Sequence, residues 1–418
     1  MYICRTLTYS QFFAIILISL NMTQFIKKIS FMAIAIVFCI LAFSCSGDEV
    51  ITNPSLTVKA SSVAEGDDGE TMSNITITAS IAPQEDIFIT YSTLDESAKS
   101  ASDYQNVTNG SAIIPAGKTE TTIQIPVNGD NILEFNEKFK INFSEPENAV
   151  LDNNFVFVTI LNDDEPLPAE HVSDGFISPE TYPSMNLTWT DEFEGPDINT
   201  NAWTFEFGDS GWGNEELQYY SDSEENAKII DGKLVITAKT GDPSHQYTSA
   251  RMITKDKQEF KYGRIDIRAK LPKGQGIWPA LWMLGANIDE VGWPRCGEID
   301  IMELVGHEPE KSYGTAHYDK GGWTHTGSFY TLQNGDIFED EFHVFSIFWE
   351  ENSIKWYIDY NKFYEVNKTS VGTSYPFNDS FFFIFNVAVG GLWPGYPDET
   401  TVFPQEMIVD YIRVFQPE

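Results

Sequence analysis

From residue 51 onward the chain is filled with short apolar runs that alternate with polar residues, broken every few positions by Gly, Asn, Asp or Pro. Ile75-Thr76-Ile77-Thr78, Ile123-Gln124-Ile125-Pro126-Val127 and Phe155-Val156-Phe157-Val158-Thr159-Ile160 show the pattern. Alternation with period two sends successive side chains to opposite faces of a strand, and the punctuating residues suit tight turns. No apolar stripe of period 3.6 is long enough for a packed helix. The expectation is an all-β protein. A length of 418 residues leaves room for roughly two or three domains. Tryptophan marks the boundary, because all ten lie after residue 185. The reading is a sandwich-sized β module over 51–164, a polar, Pro-containing linker over 165–184 and a larger β domain over 185–418.

Charge narrows the partners. The formal net charge is −36, which argues against a nucleic-acid binder, since phosphate contacts need clustered Lys and Arg. It also argues against a polybasic membrane-surface protein and favours a neutral ligand. Cys4, Cys39 and Cys45 lie in the N-terminal leader, leaving Cys296 alone in the body. Neither a disulfide framework nor a zinc–thiolate cluster is available there, and Cys296 reads as a packing thiol.

The leader reads as an export signal over 1–44. Lys27-Lys28 precedes the apolar run Phe31–Phe43, which is too short to span a membrane comfortably. Met22 is an alternative start. Leu41-Ala42-Phe43-Ser44-Cys45 resembles a bacterial lipobox with Cys45 as the lipidated residue, and Ser46-Gly47-Asp48-Glu49 resembles the acidic surface-export tag of Bacteroidetes lipoproteins. Residues 45–50 would be the tether of a lipoprotein held on the outer membrane at the cell surface. Plain signal-peptidase cleavage is the other reading.

In the first module Glu65, Asp103, Asp130, Glu134, Glu137, Asp163 and Asp164 gather at strand ends. Hard oxygen ligands so placed suit Ca²⁺; a solvated acidic rim is the alternative. Ala64-Glu65-Gly66, Ser102-Asp103-Tyr104, Gly129-Asp130…Glu134…Glu137 and Ile160-Leu161-Asn162-Asp163-Asp164 resemble a Calx-beta domain over its whole length. That resemblance implies a β-sandwich with structural calcium on those acids at one end, acting as a spacer or adhesion element.

The chemistry points to Gly297-Glu298-Ile299-Asp300-Ile301-Met302-Glu303. On a helix Glu298 and Glu303 would lie about 140° apart. On a regular strand Glu298 and Asp300 share a face, and the offset of five sends Glu303 to the other. A β-bulge near Ile301–Met302 would return it to the acidic face. Three carboxylates at about 3.3 Å per residue cannot all ionise freely. The result would be an ionised nucleophile beside a protonated acid, the pair that a retaining glycosidase holds about 5–5.5 Å apart. Trp278, Trp282, Trp293 and Trp212 could line a sugar cleft with their flat apolar faces.

The region 185–416 resembles glycoside hydrolase family 16, and within it the bacterial laminarinases. The matching stretches include Leu187-Thr-Trp-Thr-Asp-Glu-Phe-Glu-Gly195, Gly211-Trp-Gly-Asn-Glu-Glu-Leu-Gln-Tyr-Tyr220, Gly276-Ile-Trp-Pro-Ala-Leu-Trp-Met-Leu284, Gly314-Thr-Ala-His317 and Asn386-Val-Ala-Val-Gly-Gly-Leu-Trp-Pro394. The resemblance implies a concanavalin A-like β-jelly-roll and endo-hydrolysis of β-1,3-glucan with retention. It makes Glu298 the nucleophile, Glu303 the acid/base and Asp300 the residue that tunes them. It also implies glucan contacts from Asn214, Arg251, Trp278, Trp282, His317 and Trp393, although a satisfied core histidine is an even alternative for His317. No cofactor enters the catalysis, and a monomer is expected.

The same resemblance implies a structural calcium at Asp410, with backbone oxygens near Glu192 and Gly232; a hydrogen-bonded Asp at a strand edge is the alternative. Asp410 sits among apolar neighbours and needs a partner, while Arg413 falls on the opposite strand face. Rival readings are a mixed-linkage β-1,3-1,4-glucanase and a non-catalytic glucan-binding or adhesion lipoprotein. The acid trio speaks for an enzyme.

Overall fold

The computed structural model describes residues 53–144, 146–166 and 169–418. The stretches read as an export signal and a tether, with Cys45, lie outside the described residues. The described chain is built almost wholly from strands, with two helices of four residues each, Ile288–Val291 and Lys368–Val371.

The N-terminal module packs a four-stranded sheet on a five-stranded one. Alternation does the work expected of it: in Glu70–Ala79 the residues Ser73, Ile75, Ile77 and Ala79 point inward and the intervening ones outward. Leu56, Ile75, Ile125, Phe139, Ile141 and Val158 form the common core.

The larger domain is a sandwich of a ten-stranded and an eight-stranded sheet. Its core is far more aromatic, with Trp203, Trp349, Trp356 and a row of phenylalanines at Phe381, Phe383 and Phe385. The strand Phe381–Val389 is buried at every position, so it is apolar throughout except at Asn386 rather than alternating. It pairs with Ile277–Gly285, which in turn pairs with Glu298–Glu303. The carboxylate-bearing strand is therefore central in its sheet.

The stretch read as a linker is docked instead. Glu170–Val172 and Gly175–Ile177 form a small hairpin. Arg268 Nε donates to Phe176 O at 2.6 Å and its Nη2 to Asp174 Oδ1 at 2.8 Å. Tyr182 donates to the buried Asp266 at 2.6 Å. Polar and Pro-rich composition hid this, because the partners of Asp174 and Tyr182 lie more than eighty residues away.

The two domains also touch directly. Phe135, from the acidic loop of the first module, stacks on Phe348 at 4.7 Å. With Leu133 it packs against Tyr182, Met185, Tyr357 and Phe415, on the outer face of the ten-stranded sheet. Asn136 N–H donates to Glu350 Oε1 at 2.9 Å, and Ser184 Oγ–H to Glu134 Oε1 at 2.5 Å.

Candidate active site

The catalytic strand carries the expected bulge. Leu281 pairs with Met302 while Trp282 pairs with Asp300, so Ile301 is the extra residue. On the other side Glu303 pairs with Tyr313 and Asp300 with Thr315, repeating the slip. Ile299, Ile301 and Met302 consequently all enter the core, and Glu298, Asp300 and Glu303 all face a single cleft of ≈ 1180 Å³. Trp356 fixes the strand from behind by donating its indole N–H to Asp300 O at 2.8 Å.

Each glutamate has its own indole donor. Trp293 Nε1 donates to Glu298 Oε2 at 2.8 Å, and Trp278 Nε1 to Glu303 Oε1 at 3.1 Å. His317 lies opposite Glu298 across the neighbouring strand pair. Its Nε2 is 3.1 Å from Asp300 Oδ2 and 3.7 Å from Glu298 Oε1. The Asp300 contact is out of line for a hydrogen bond, and Asp300 Oδ2 has no other donor among the described residues.

Burial penalises charge on all three acids. It pushes Glu298 up to about 8, with Asp300 adding repulsion and His317, Trp293 and Arg251 pulling the other way. Burial raises Asp300 and Glu303 well above the ordinary carboxylate range, and the charges on Asp300 and Glu298 lift Glu303 further. In the empty cleft the trio therefore holds fewer than three charges. The Glu298 side chain is 16% exposed to the cleft, so water relieves part of the penalty. His317, Trp293 and Arg251 all oppose that penalty at Glu298, whereas His317 and Trp278 oppose it at Glu303.

The expected substrate contacts come together. Asn214, Arg251, Trp278, Trp282, His317 and Trp393 all line the same cleft as the acids. Arg251 is clamped between the rings of Trp212 and Trp282, each 4.8 Å from its guanidinium, and its Nε donates to Glu206 Oε2 at 2.5 Å. Trp282 donates to Asn386 Oδ1 at 2.7 Å. Trp393 meets Trp278 edge-on at 5.5 Å. Asn214 sits in a loop whose Trp212 and Glu215 adopt positive φ, and donates to the buried Glu216 at 3.2 Å.

Asn386, Glu216, Trp323 and His325 also line the cleft and were not singled out by sequence reasoning. The Gly321-Gly322 turn was the available signal for the last two, since it folds Trp323–Thr331 back onto the His317 strand. Cys296 is fully buried and its thiol is pushed up to about 11, as suits a packing residue.

In the first module Asp103, Glu134 and Glu137 bring carboxylate oxygens within 4.8 Å of one another. Burial lifts Glu65 to about 7 and, with Asp103 and Glu134 beside it, Glu137 to about 9. Asn162 Nδ2 donates to Glu65 Oε1 at 2.9 Å, while its Oδ1 is buried without a partner. Asp130 and Asp164 add negative charge to the same end. Asp163 sits beside it and accepts from Gly66 N–H at 3.0 Å. An oxygen-only donor set of surplus negative charge fits calcium.

The second expected calcium position differs. Gly232, in the two-residue turn before Lys233, does come near Asp410, but Asp410 already has partners. Lys233 Nζ lies 2.9 Å from its Oδ1, and Arg268 Nη1 donates to its Oδ2 at 2.6 Å. Glu192 is held by two bonds from Arg413 at 2.8 and 2.9 Å. Asp410 is thus paired as a partly buried carboxylate must be, by cations from neighbouring strands rather than by Arg413 or an ion.

A carboxylate pair on one strand, set in an aromatic cleft across a two-sheet β-sandwich, defines a polysaccharide-cleaving glycosidase of the jelly-roll class. The pattern of glycosyl hydrolases family 16 matches residues 214–413, and that of the Calx-beta domain matches residues 53–164. The chain belongs to glycosyl hydrolases family 16.

It is 37% identical over 250 residues to a beta-glucanase of Rhodothermus marinus, covering 56% of this chain and 86% of that protein. It is 40% identical over 299 residues to glucan endo-1,3-beta-glucosidase A1 of Niallia circulans, covering 64% of this chain and 44% of that one. The chain thus spans less than half the length of the Niallia protein. The solved laminarinase catalytic domain of Thermotoga maritima MSB8 superposes with a TM-score of 0.52 at 50% identity, over 56% of this chain and 99% of that one.

Proposed function

We propose that the protein is a retaining endo-β-1,3-glucanase acting on laminarin-type glucan. The observation that carries this reading is the bulged strand, which turns Glu298, Asp300 and Glu303 to one cleft floor beneath tryptophans. The names of the Niallia and Thermotoga relatives support the linkage.

Substrate binding displaces water and lays pyranose rings on the indole faces. Glu298 attacks the anomeric carbon while Glu303 gives its proton to the leaving oxygen. The raised pKa of Glu303 keeps that proton available at neutral pH. Glu303, now a carboxylate, then takes a proton from water, which attacks the glycosyl-enzyme and releases Glu298. Asp300 changes the charge of the trio without touching the sugar bond. A non-catalytic binder has no use for three carboxylates in this geometry, and one chain completes the cleft, so a monomer suffices.

Calcium would be held by Asp103, Glu134 and Glu137 of the Calx-beta module as a structural ion. At Asp410 the same ion would have to displace the Lys233 ammonium. Among the described residues no helix is long and apolar enough to cross a membrane. Attachment to the outer membrane through acylated Cys45 is our reading of the leader; unchanged incorporation of a palmitate analogue in Cys45→Ala would refute it.

Product analysis on laminarin, curdlan, lichenan and agarose in parallel tests the substrate. Laminarin and curdlan should give short β-1,3-oligosaccharides. Faster cleavage of lichenan would make the enzyme a mixed-linkage glucanase, and dominant cleavage of agarose would overturn the assignment.

A further inference from the structure

Trp323 differs from the other cleft tryptophans in the partner of its indole N–H, which is the ring nitrogen of a histidine. The side chain is 59% exposed, so core packing does not explain its position. It lies on the strand that pairs with the His317 strand, across the Lys320-Gly321-Gly322 turn. Its ring is nearly parallel to that of His317, at 5° and 6.0 Å between centroids, and His325 stacks on it at 5.5 Å. Trp323 Nε1 is 2.9 Å from His317 Nδ1.

The chemistry of that contact is unambiguous. An indole N–H can only donate, so Nδ1 of His317 must be the acceptor and carries no proton. The single ring proton is then on Nε2, the atom that faces Asp300 Oδ2 at 3.1 Å and Glu298 Oε1 at 3.7 Å. The other tautomer would set a lone pair against two carboxyl groups. An imidazolium would have a second N–H pointed at the indole N–H, with no acceptor.

We propose that Trp323 is a positioning residue of the active site, which locks His317 as the neutral Nε2–H tautomer and so keeps a donor aimed between Asp300 and the nucleophile Glu298. The groups that face His317 are Glu298 and Asp300 from one neighbouring strand, Trp323 and His325 from the other, and Trp293 from the loop before Glu298. Arg251 is a cation whose charge reaches Glu298. A neutral donor supports the carboxylate charge without pairing it fully. A cation in the same place would hold Glu298 in an ion pair and blunt its attack on the sugar.

The inference rests on the glycosidase reading for its effect on rate, but its structural half is tested without substrate. In the full chain, Trp323→Phe keeps a smaller aromatic ring beside His325 and removes the N–H donor. Nitrogen-15 NMR of histidine-labelled protein, with the His317 signals assigned by their loss in His317→Gln, reads the tautomer directly. The wild type should show the Nε2–H tautomer of His317. Trp323→Phe should show mixed tautomers, with kcat on laminarin falling about fivefold to tenfold and KM held within about twofold. A His317 that stays in the Nε2–H form in Trp323→Phe overturns the proposal. So does a defect confined to KM, which would make Trp323 a sugar platform only. A wild type that cleaves no glucan would defeat the glycosidase reading instead, and the spectra would still decide the tautomer.

Discussion

Trp293 donates its indole N–H to Glu298 Oε2 at 2.8 Å, tying the proposed nucleophile to the loop that precedes its own strand. A donor to the charged form of a carboxyl group lowers its pKa. Trp293 opposes the burial that pushes Glu298 up to about 8. Trp293→Phe should therefore raise the Glu298 pKa and move the acid limb of the kcat/KM profile on laminarin upward by roughly half to one pH unit. A limb that stays in place, or moves to lower pH, would show that this bond does not tune the nucleophile.

The acid cluster of the Calx-beta module makes a prediction of stability. Glu65 and Glu137 hold their protons to about 7 and about 9, against 4.5 for an unperturbed glutamate. The folded state binds more protons than the unfolded one across that window, so stability is fully present below about pH 4.5 and is lost as pH rises toward 9. In chelator the melting temperature should fall by roughly 5 °C or more between pH 5 and pH 9. Millimolar calcium should flatten that slope, because the ion replaces the protons. Calorimetric scans with equal slopes in calcium and in chelator would remove the ion from the account.

The contact between Phe135 and Phe348 predicts coupling between the domains. Phe135→Ala removes the stacked ring and part of the apolar patch formed with Tyr182 and Phe415. The full chain should lose roughly 1–3 kcal/mol and its melt should separate into two transitions. The cleft lies on the other sheet, so kcat on laminarin should hold. A single unchanged transition would mean that the docking contributes little.

How much of this was legible in the sequence follows the range of the contacts. The bulge could be read from an offset of five between two glutamates, because period-two alternation is local. Asn214, Arg251 and His317 carry no local signal of their own and were reached through resemblance. The partners of Asp410 were missed because Lys233 and Arg268 come from two other strands of the sheet, and spacing within one strand says nothing of its neighbours. Trp323 was missed for a similar reason: its meeting with His317 depends on hairpin register. The order of residues 169–184 was missed because a short polar segment can dock through two or three side chains without any periodic pattern.

The division of labour between the two glutamates is the central claim, and azide rescue of Glu303→Ala on an activated aryl β-glucoside tests it most directly. With a good leaving group the first displacement needs no acid, so the variant should still form its glycosyl-enzyme on Glu298. Azide, which needs no general base, should then speed turnover, and NMR of the product should show the β-glycosyl azide. An α-glycosyl azide from this variant would mean a single displacement, and would make Glu303 rather than Glu298 the nucleophile.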